Sequence, residues 1–129
     1  PDMQMFTERY AGRSGAVISA VDVIKGLGKC SGMEVIEVPG ATGFLDTNYA
    51  GKVTAALKAA EENDLGYVHL EAIDECSHLG DLQLKRRAIE EFDANIVVPI
   101  TNALQGTDCN FAVLPFDFGW SLGQLQTTA

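Results

Sequence analysis

Leu65-Gly-Tyr-Val-His-Leu-Glu-Ala72, followed one residue later by Asp74-Glu-Cys-Ser-His-Leu-Gly-Asp81, is the stretch on which the fold turns. The first run is short and apolar, and its part from Tyr67 to Ala72 reads as a strand. The second is a glycine-bearing loop, after which an amphipathic segment starts at Leu82. In α/β proteins, chemistry gathers in the loops just past the carboxyl ends of the strands. This loop holds the densest patch of ligand-type side chains in the chain: three carboxylates, an imidazole, a thiol and a hydroxyl. The spacing of Asp74 and His78 lets a loop or a first helical turn aim both groups at one point. A carboxylate oxygen and an imidazole nitrogen suit a borderline divalent ion such as Mn²⁺ or Zn²⁺. The plain alternative is a solvated loop in which Asp81 caps the next helix.

Upstream, Gly15-Ala-Val-Ile-Ser-Ala-Val21 reads as a buried strand and Asp22 to Lys29 as a short helix. Glycines 26 and 28 weaken that helix by up to roughly 1 kcal/mol each, so close packing is their expected reason. Met33 to Val38 is β-branched and reads as a second strand. The loop Pro39 to Asp46 carries glycines but lacks the Gly-Lys-Ser/Thr ending of a phosphate-binding loop. Thr47 is the expected cap of a helix from Asn48 to Asn63, with Val53, Leu57 and Ala60 facing in and Lys and Glu facing out. Downstream, apolar residues recur near helical period from Leu82 to Ile100, with Pro99 placed to kink the helix or end a turn. Phe111 to Pro115 reads as a fourth strand. The order β-α-β-α-β-α-β implies an α/β fold with a mostly parallel sheet and helices on both faces. Residues 1–14 form a polar lead-in segment, 15–115 a partial α/β domain, and 116–129 a tail without clear period.

The bulk numbers bound the partners. The chain has 129 residues, 47% of them hydrophobic, which fits one domain with a core. A net charge of −9 argues against nucleic acid and anionic membranes as main partners. Three cysteines, an odd count without a Cys-x-x-Cys pair, suggest neither a disulfide framework nor a thiolate zinc site. A reducing cytoplasm is the natural compartment. No apolar run reaches membrane-spanning length, and Pro1 to Met5 has no signal-peptide pattern.

Taken together, Gly15 to Asp22, Ile24-Lys-Gly-Leu-Gly28, Glu37-Val-Pro-Gly-Ala-Thr-Gly43, Asp46-Thr-Asn-Tyr49, His69, Glu71-Ala72 and Asp74-Glu75-x-x-His78-x-Gly-Asp81 resemble the archaeal-type cofactor-independent phosphoglycerate mutases, a family also found in bacteria. The resemblance runs from about Phe6 to Pro115. It implies an alkaline-phosphatase-like α/β core and an enzyme that interconverts 3-phosphoglycerate and 2-phosphoglycerate without 2,3-bisphosphoglycerate. It further implies two divalent ions, Mn²⁺ or Zn²⁺, and a serine that carries the phosphoryl group in transit. By position in the motif, Asp74 and His78 match ligands to one of the two metals.

Two departures from the family pattern follow. The chain corresponds to the C-terminal portion of the family, so the nucleophilic serine, an early Asp ligand and the inserted substrate domain are expected upstream; Ser19 and Ser77 do not match the nucleophile motif. Where the family continues into Asp-His-Pro for the second metal, this chain has Phe116-Asp117-Phe118-Gly119-Trp120, with Asp117 as a candidate stand-in and no histidine after it. The isolated chain is therefore expected to be inactive. Arg9 and Arg13 are candidate contacts to a substrate phosphate or carboxylate, on condition that the lead-in segment folds over the site. His69 is read as a structural histidine, and Cys76 as an unactivated thiol. A non-catalytic α/β module that lost the metals is the rival reading, and another metal-dependent phosphatase-superfamily enzyme the third. An exposed sheet edge would favour self-association.

Overall fold

The computed structural model describes residues 2–114, which divide into two compact units, the first running to Leu70 and the second starting at Glu71. The first unit is built on three parallel strands, β1 (Gly15–Ile18), β2 (Glu34–Ile36) and β3 (Leu65–Val68), in the order β2-β1-β3. Two helices join them, α2 (Asp22–Cys30) between β1 and β2 and α3 (Tyr49–Glu62) between β2 and β3. A single turn of helix, α1 (Phe6–Arg9), precedes β1 inside the lead-in segment, with the Phe6 and Tyr10 rings in contact at 4.6 Å.

β1 is central, and its residues are apolar without alternation because both faces are covered: Ala16, Val17 and Ile18 are all buried. The register shows what covers each face. Val17 pairs with Val35 and Tyr67, so these side chains share one face; Ala16 pairs with Glu34 and Gly66 on the other. A Cβ at Gly28 of α2 would come within 3.1 Å of Val17 and 3.3 Å of Val35, so α2 lies against the first face. A Cβ at Gly66 would meet Ala59 of α3 at 3.4 Å, so α3 lies against the second. Helices on both faces are thus present within this unit, as two right-handed crossovers running in opposite directions require. The packing explanation holds for Gly28 and fails for Gly26, around which a Cβ would meet nothing within 4 Å.

α3 departs from the expected facing. Its buried residues are Lys52, Ala56 and Ala59, not Val53, Leu57 and Ala60. Small alanines let the helix approach Gly66 closely, and that approach decides the rotation of the helix. Asn48, not Thr47, is the cap: its side chain accepts the Gly51 N–H at 2.9 Å. Thr47 instead accepts the Thr42 N–H at 2.9 Å, closing the loop that follows β2. β3 begins at Leu65 and ends at Val68, earlier than expected, because Leu65 is already laddered to β1 opposite Gly15.

The second unit is helical over its described residues. α4 (Ala72–His78) leads through Gly80, at φ 69°, to α5 (Leu82–Phe92). A glycine in this left-handed conformation is the usual helix terminator. Asp81 caps α5 by accepting the Leu84 N–H at 2.9 Å. Asp93–Val97 then forms a π-helical turn that passes into α6 (Val98–Leu104), with Pro99 in the first turn of α6. Proline has no N–H for the carbonyl one α-turn back, and the wider turn absorbs the break, so the helix continues instead of stopping. Ala72, Cys76, Ala88, Ile96 and Ile100 are buried in this unit.

Two expectations are corrected here. The Asp74 segment is a helix, not a loop, since an uninterrupted run of residues without Gly or Pro separates Ala72 from His78. The expected fourth strand is absent over Phe111–Leu114, which are exposed and adopt no regular element; a strand exists through its ladder, and among the described residues none pairs with it. Pro115 lies outside the described residues.

Candidate metal-ligand pair and the strand-end cluster

α4 sets Asp74 and His78 four residues apart, one turn of helix, so both side chains leave the same face. His78 Nε2 lies 3.3 Å from Asp74 Oδ2. Two atoms bound tetrahedrally to one ion at about 2.0–2.2 Å stand roughly 3.3–3.6 Å apart, so the separation of the pair is compatible with one coordination sphere. Asp74 is the more sheltered partner, with 28% of its side chain exposed against 48% for His78. A carboxylate oxygen from each of Glu71, Asp74 and Glu75 can be drawn within 4.8 Å of the others, which makes the start of α4 strongly negative. Acids in the first turn and a histidine in the last also suit the helix dipole.

The other groups of this segment are occupied structurally. Ser77 is buried and donates to the Ile73 carbonyl at 2.8 Å. Cys76 is fully buried; burial first, then the Asp81, Glu75 and Glu91 carboxylates, push its thiol pKa up, and Lys85 opposes them. The thiol stays protonated at neutral pH, which suits packing and not nucleophilic attack.

In the first unit, Arg9 lies on α1 with its guanidinium 5.9 Å from the Tyr10 ring centroid, and Arg13 is exposed in the turn before β1. Asp117 lies outside the described residues.

A second polar cluster forms where β1 and β3 end. Ser19 Oγ is 3.2 Å from His69 Nδ1 and accepts the Val21 N–H at 3.0 Å. The His69 N–H donates to the Ile18 carbonyl at 2.8 Å, extending the ladder one residue past β3. Lys52 Nζ donates to the His69 carbonyl at 3.4 Å, and Lys52 is 1% exposed. Burial first, then the Lys52 charge, lower the His69 pKa. Sequence reasoning placed Lys52 on the outer face of α3 and passed over this cluster. The signal lay in the alanines at 56 and 59, which mark the close-packed face and carry Lys52 with them at helical spacing.

Residues 2–115 match the metalloenzyme superfamily. Among curated relatives, the 2,3-bisphosphoglycerate-independent phosphoglycerate mutase of Methanosarcina acetivorans is 53% identical over 114 residues, covering 88% of this chain and 28% of the relative. That of Methanothrix thermoacetophila is 58% identical over 105 residues, covering 81% and 26%. The chain thus spans little more than a quarter of the length of the relatives it matches. The solved structure of the PH0037 protein from Pyrococcus horikoshii superposes with a TM-score of 0.72 at 28% identity, over 77% of this chain and 26% of that one. An α/β chain with a parallel sheet, matched to one family over nearly its whole length, belongs to the metalloenzyme superfamily.

Proposed function

We propose that this chain is part of a 2,3-bisphosphoglycerate-independent phosphoglycerate mutase and supplies two protein ligands, Asp74 and His78, to one of its metals. The observation that carries the reading is the 3.3 Å approach of these side chains on one face of α4, in a chain more than half identical to proteins of that name. The ions are Mn²⁺ or Zn²⁺, two to the complete site, and the substrates are 3-phosphoglycerate and 2-phosphoglycerate. When bound, the ions neutralise phosphoryl oxygens and sharpen a serine nucleophile held elsewhere in the parent polypeptide.

This chain's own residues do the placing. Asp74 supplies a hard carboxylate oxygen and His78 an imidazole nitrogen, and the helix fixes both before any ion arrives. The carboxylates of Glu71 and Glu75 raise the local attraction for a cation. Asp117 is a further candidate ligand, and Arg9 and Arg13 are candidate contacts to a substrate phosphate or carboxylate. The setting is a glycolytic enzyme of the cytoplasm, and the net charge of −9 argues against nucleic-acid and anionic-membrane partners. β2 and β3 form the two edges of the described sheet, and such edges favour self-association.

Two ligands hold an ion weakly, so the isolated chain binds Mn²⁺ loosely and does not turn over. Titration of the full chain with Mn²⁺, followed by electron paramagnetic resonance, tests this. Weak binding that disappears in Asp74→Ala and in His78→Ala is expected. Binding that survives both substitutions would sink the assignment. An enolase-coupled assay with 3-phosphoglycerate and Mn²⁺ is expected to show no turnover; metal-dependent turnover would mean that the chain alone completes the site. A cooperative fold whose melting temperature ignores Mn²⁺ and Zn²⁺ in all three proteins would favour the non-catalytic module.

A further inference from the structure

We infer that His69 is a fixed hydrogen-bond donor, presenting Nε2–H at the carboxyl edge of the sheet to an anionic oxygen of a phosphoryl or carboxylate group. The inference deepens the mutase reading, from which it takes the kind of oxyanion.

A hydroxyl has one proton to give and two lone pairs to accept with. Ser19 is 4% exposed, and one lone pair already takes the Val21 N–H. Its remaining neighbour among the described polar groups is His69 Nδ1 at 3.2 Å. Were Nδ1 protonated and donating, the buried hydroxyl proton would lack an acceptor, at a cost of about 1–3 kcal/mol. The hydroxyl therefore donates to Nδ1, and the ring proton of neutral His69 sits on Nε2.

The same geometry resists a second ring proton. An imidazolium would place Nδ1–H against Ser19 and orphan its hydroxyl proton. It would also stand beside the ammonium of Lys52, whose Nζ is on the His69 carbonyl. A neutral ring with its proton on Nε2 can donate but cannot serve as a base or a metal ligand through that nitrogen. His69 is half-buried, one residue past the end of β3. In parallel sheets this edge is where ligands bind. A neutral donor near a buried cation favours negative oxygen over neutral or positive groups.

The test uses the full chain, ¹⁵N-labelled, in metal-free buffer near pH 7.5. It has two histidines, so comparison with His78→Gln assigns both rings in a long-range ¹H–¹⁵N spectrum. The expected pattern for His69 is the Nε2–H tautomer, and a mixed tautomer in Ser19→Ala. Inorganic phosphate and D-glycerate are then titrated separately. A saturable shift of His69 with phosphate alone assigns the oxyanion as phosphoryl, and with glycerate alone as carboxylate. His69→Gln, which keeps a donor near the Nε2 position, should retain binding by ³¹P or ¹³C line broadening, while His69→Leu should weaken it roughly tenfold. A dominant Nδ1–H tautomer in the unmodified chain would overturn the inference, whether or not Ser19→Ala folds. So would resonances unmoved by either anion. A chain that binds no Mn²⁺ at Asp74 while His69 answers phosphate would sink the mutase reading and leave this one standing.

Discussion

The pair on α4 and the cluster at the strand ends hold polar groups by opposite means. Asp74 and His78 are neighbours on one helical turn, half open to water, and need only that helix to meet. Ser19, Lys52 and His69 come from three elements, are buried or half-buried, and meet only once the sheet has formed with α3 against it. The first arrangement is local and cheap to lose. The second is non-local and tied into the core, so its loss is felt by the whole unit.

Substitutions can break that contrast. Lys52→Ala removes a fully buried stem and head and should lower the unfolding free energy by about 2–4 kcal/mol, read from urea melts; a loss below 1 kcal/mol would mean that the cluster is not part of the core. Gly28→Ala pushes a methyl into Val17 and Val35 and should cost about 1–3 kcal/mol, whereas Gly26→Ala, with open space around it, should gain up to roughly 1 kcal/mol from helix propensity. Asp81→Ala deletes the α5 cap and should cost about 1 kcal/mol. Asp74→Ala in metal-free buffer should change stability least, by about 0–1 kcal/mol, as for other exposed pairs, while still abolishing Mn²⁺ binding.

Acid sharpens the comparison further. The His69 pKa is lowered in the folded chain, so below about 6.5 the unfolded chain binds more protons than the folded one. The His69 contribution is present above that pH and is lost as pH falls toward the lowered folded value. Comparing urea midpoints at pH 7.5 and 5.5 for the unmodified chain and His69→Gln isolates it: the unmodified chain should lose more. Equal losses would show that His69 is not held neutral.

Much of the fold was legible because its signals are local or periodic. The apolar run Gly15 to Val21, the β-branched Met33 to Val38 and the helical spacing after Leu82 each name their element, although the strands end sooner, at Ile18 and Ile36, and alternating strands and helices led to the parallel sheet. The Asp74/His78 pair was legible for the same reason, being separated by four residues, although its surroundings were read as a loop. What escaped detection depends on distant partners. The rotation of α3 is set by Gly66, the Ser19–His69 contact spans fifty residues, and the cap at Asn48 beat Thr47 because Thr47 was claimed by Thr42. The misplaced strand at Phe111 has the same origin, since pairing requires a partner that sequence pattern does not supply.

The single turn separating Asp74 from His78 also governs which genetic changes this chain can absorb. Each residue in a helix advances the side-chain direction by about 100°. Exchanging Glu75 or Cys76 for another residue leaves Asp74 and His78 on one face of the helix. Inserting or deleting one codon between them swings His78 around the helix and out of reach of Asp74, with composition and helicity scarcely altered. At an exposed position such as Glu75 the turn is tolerant of the letter and strict about the count.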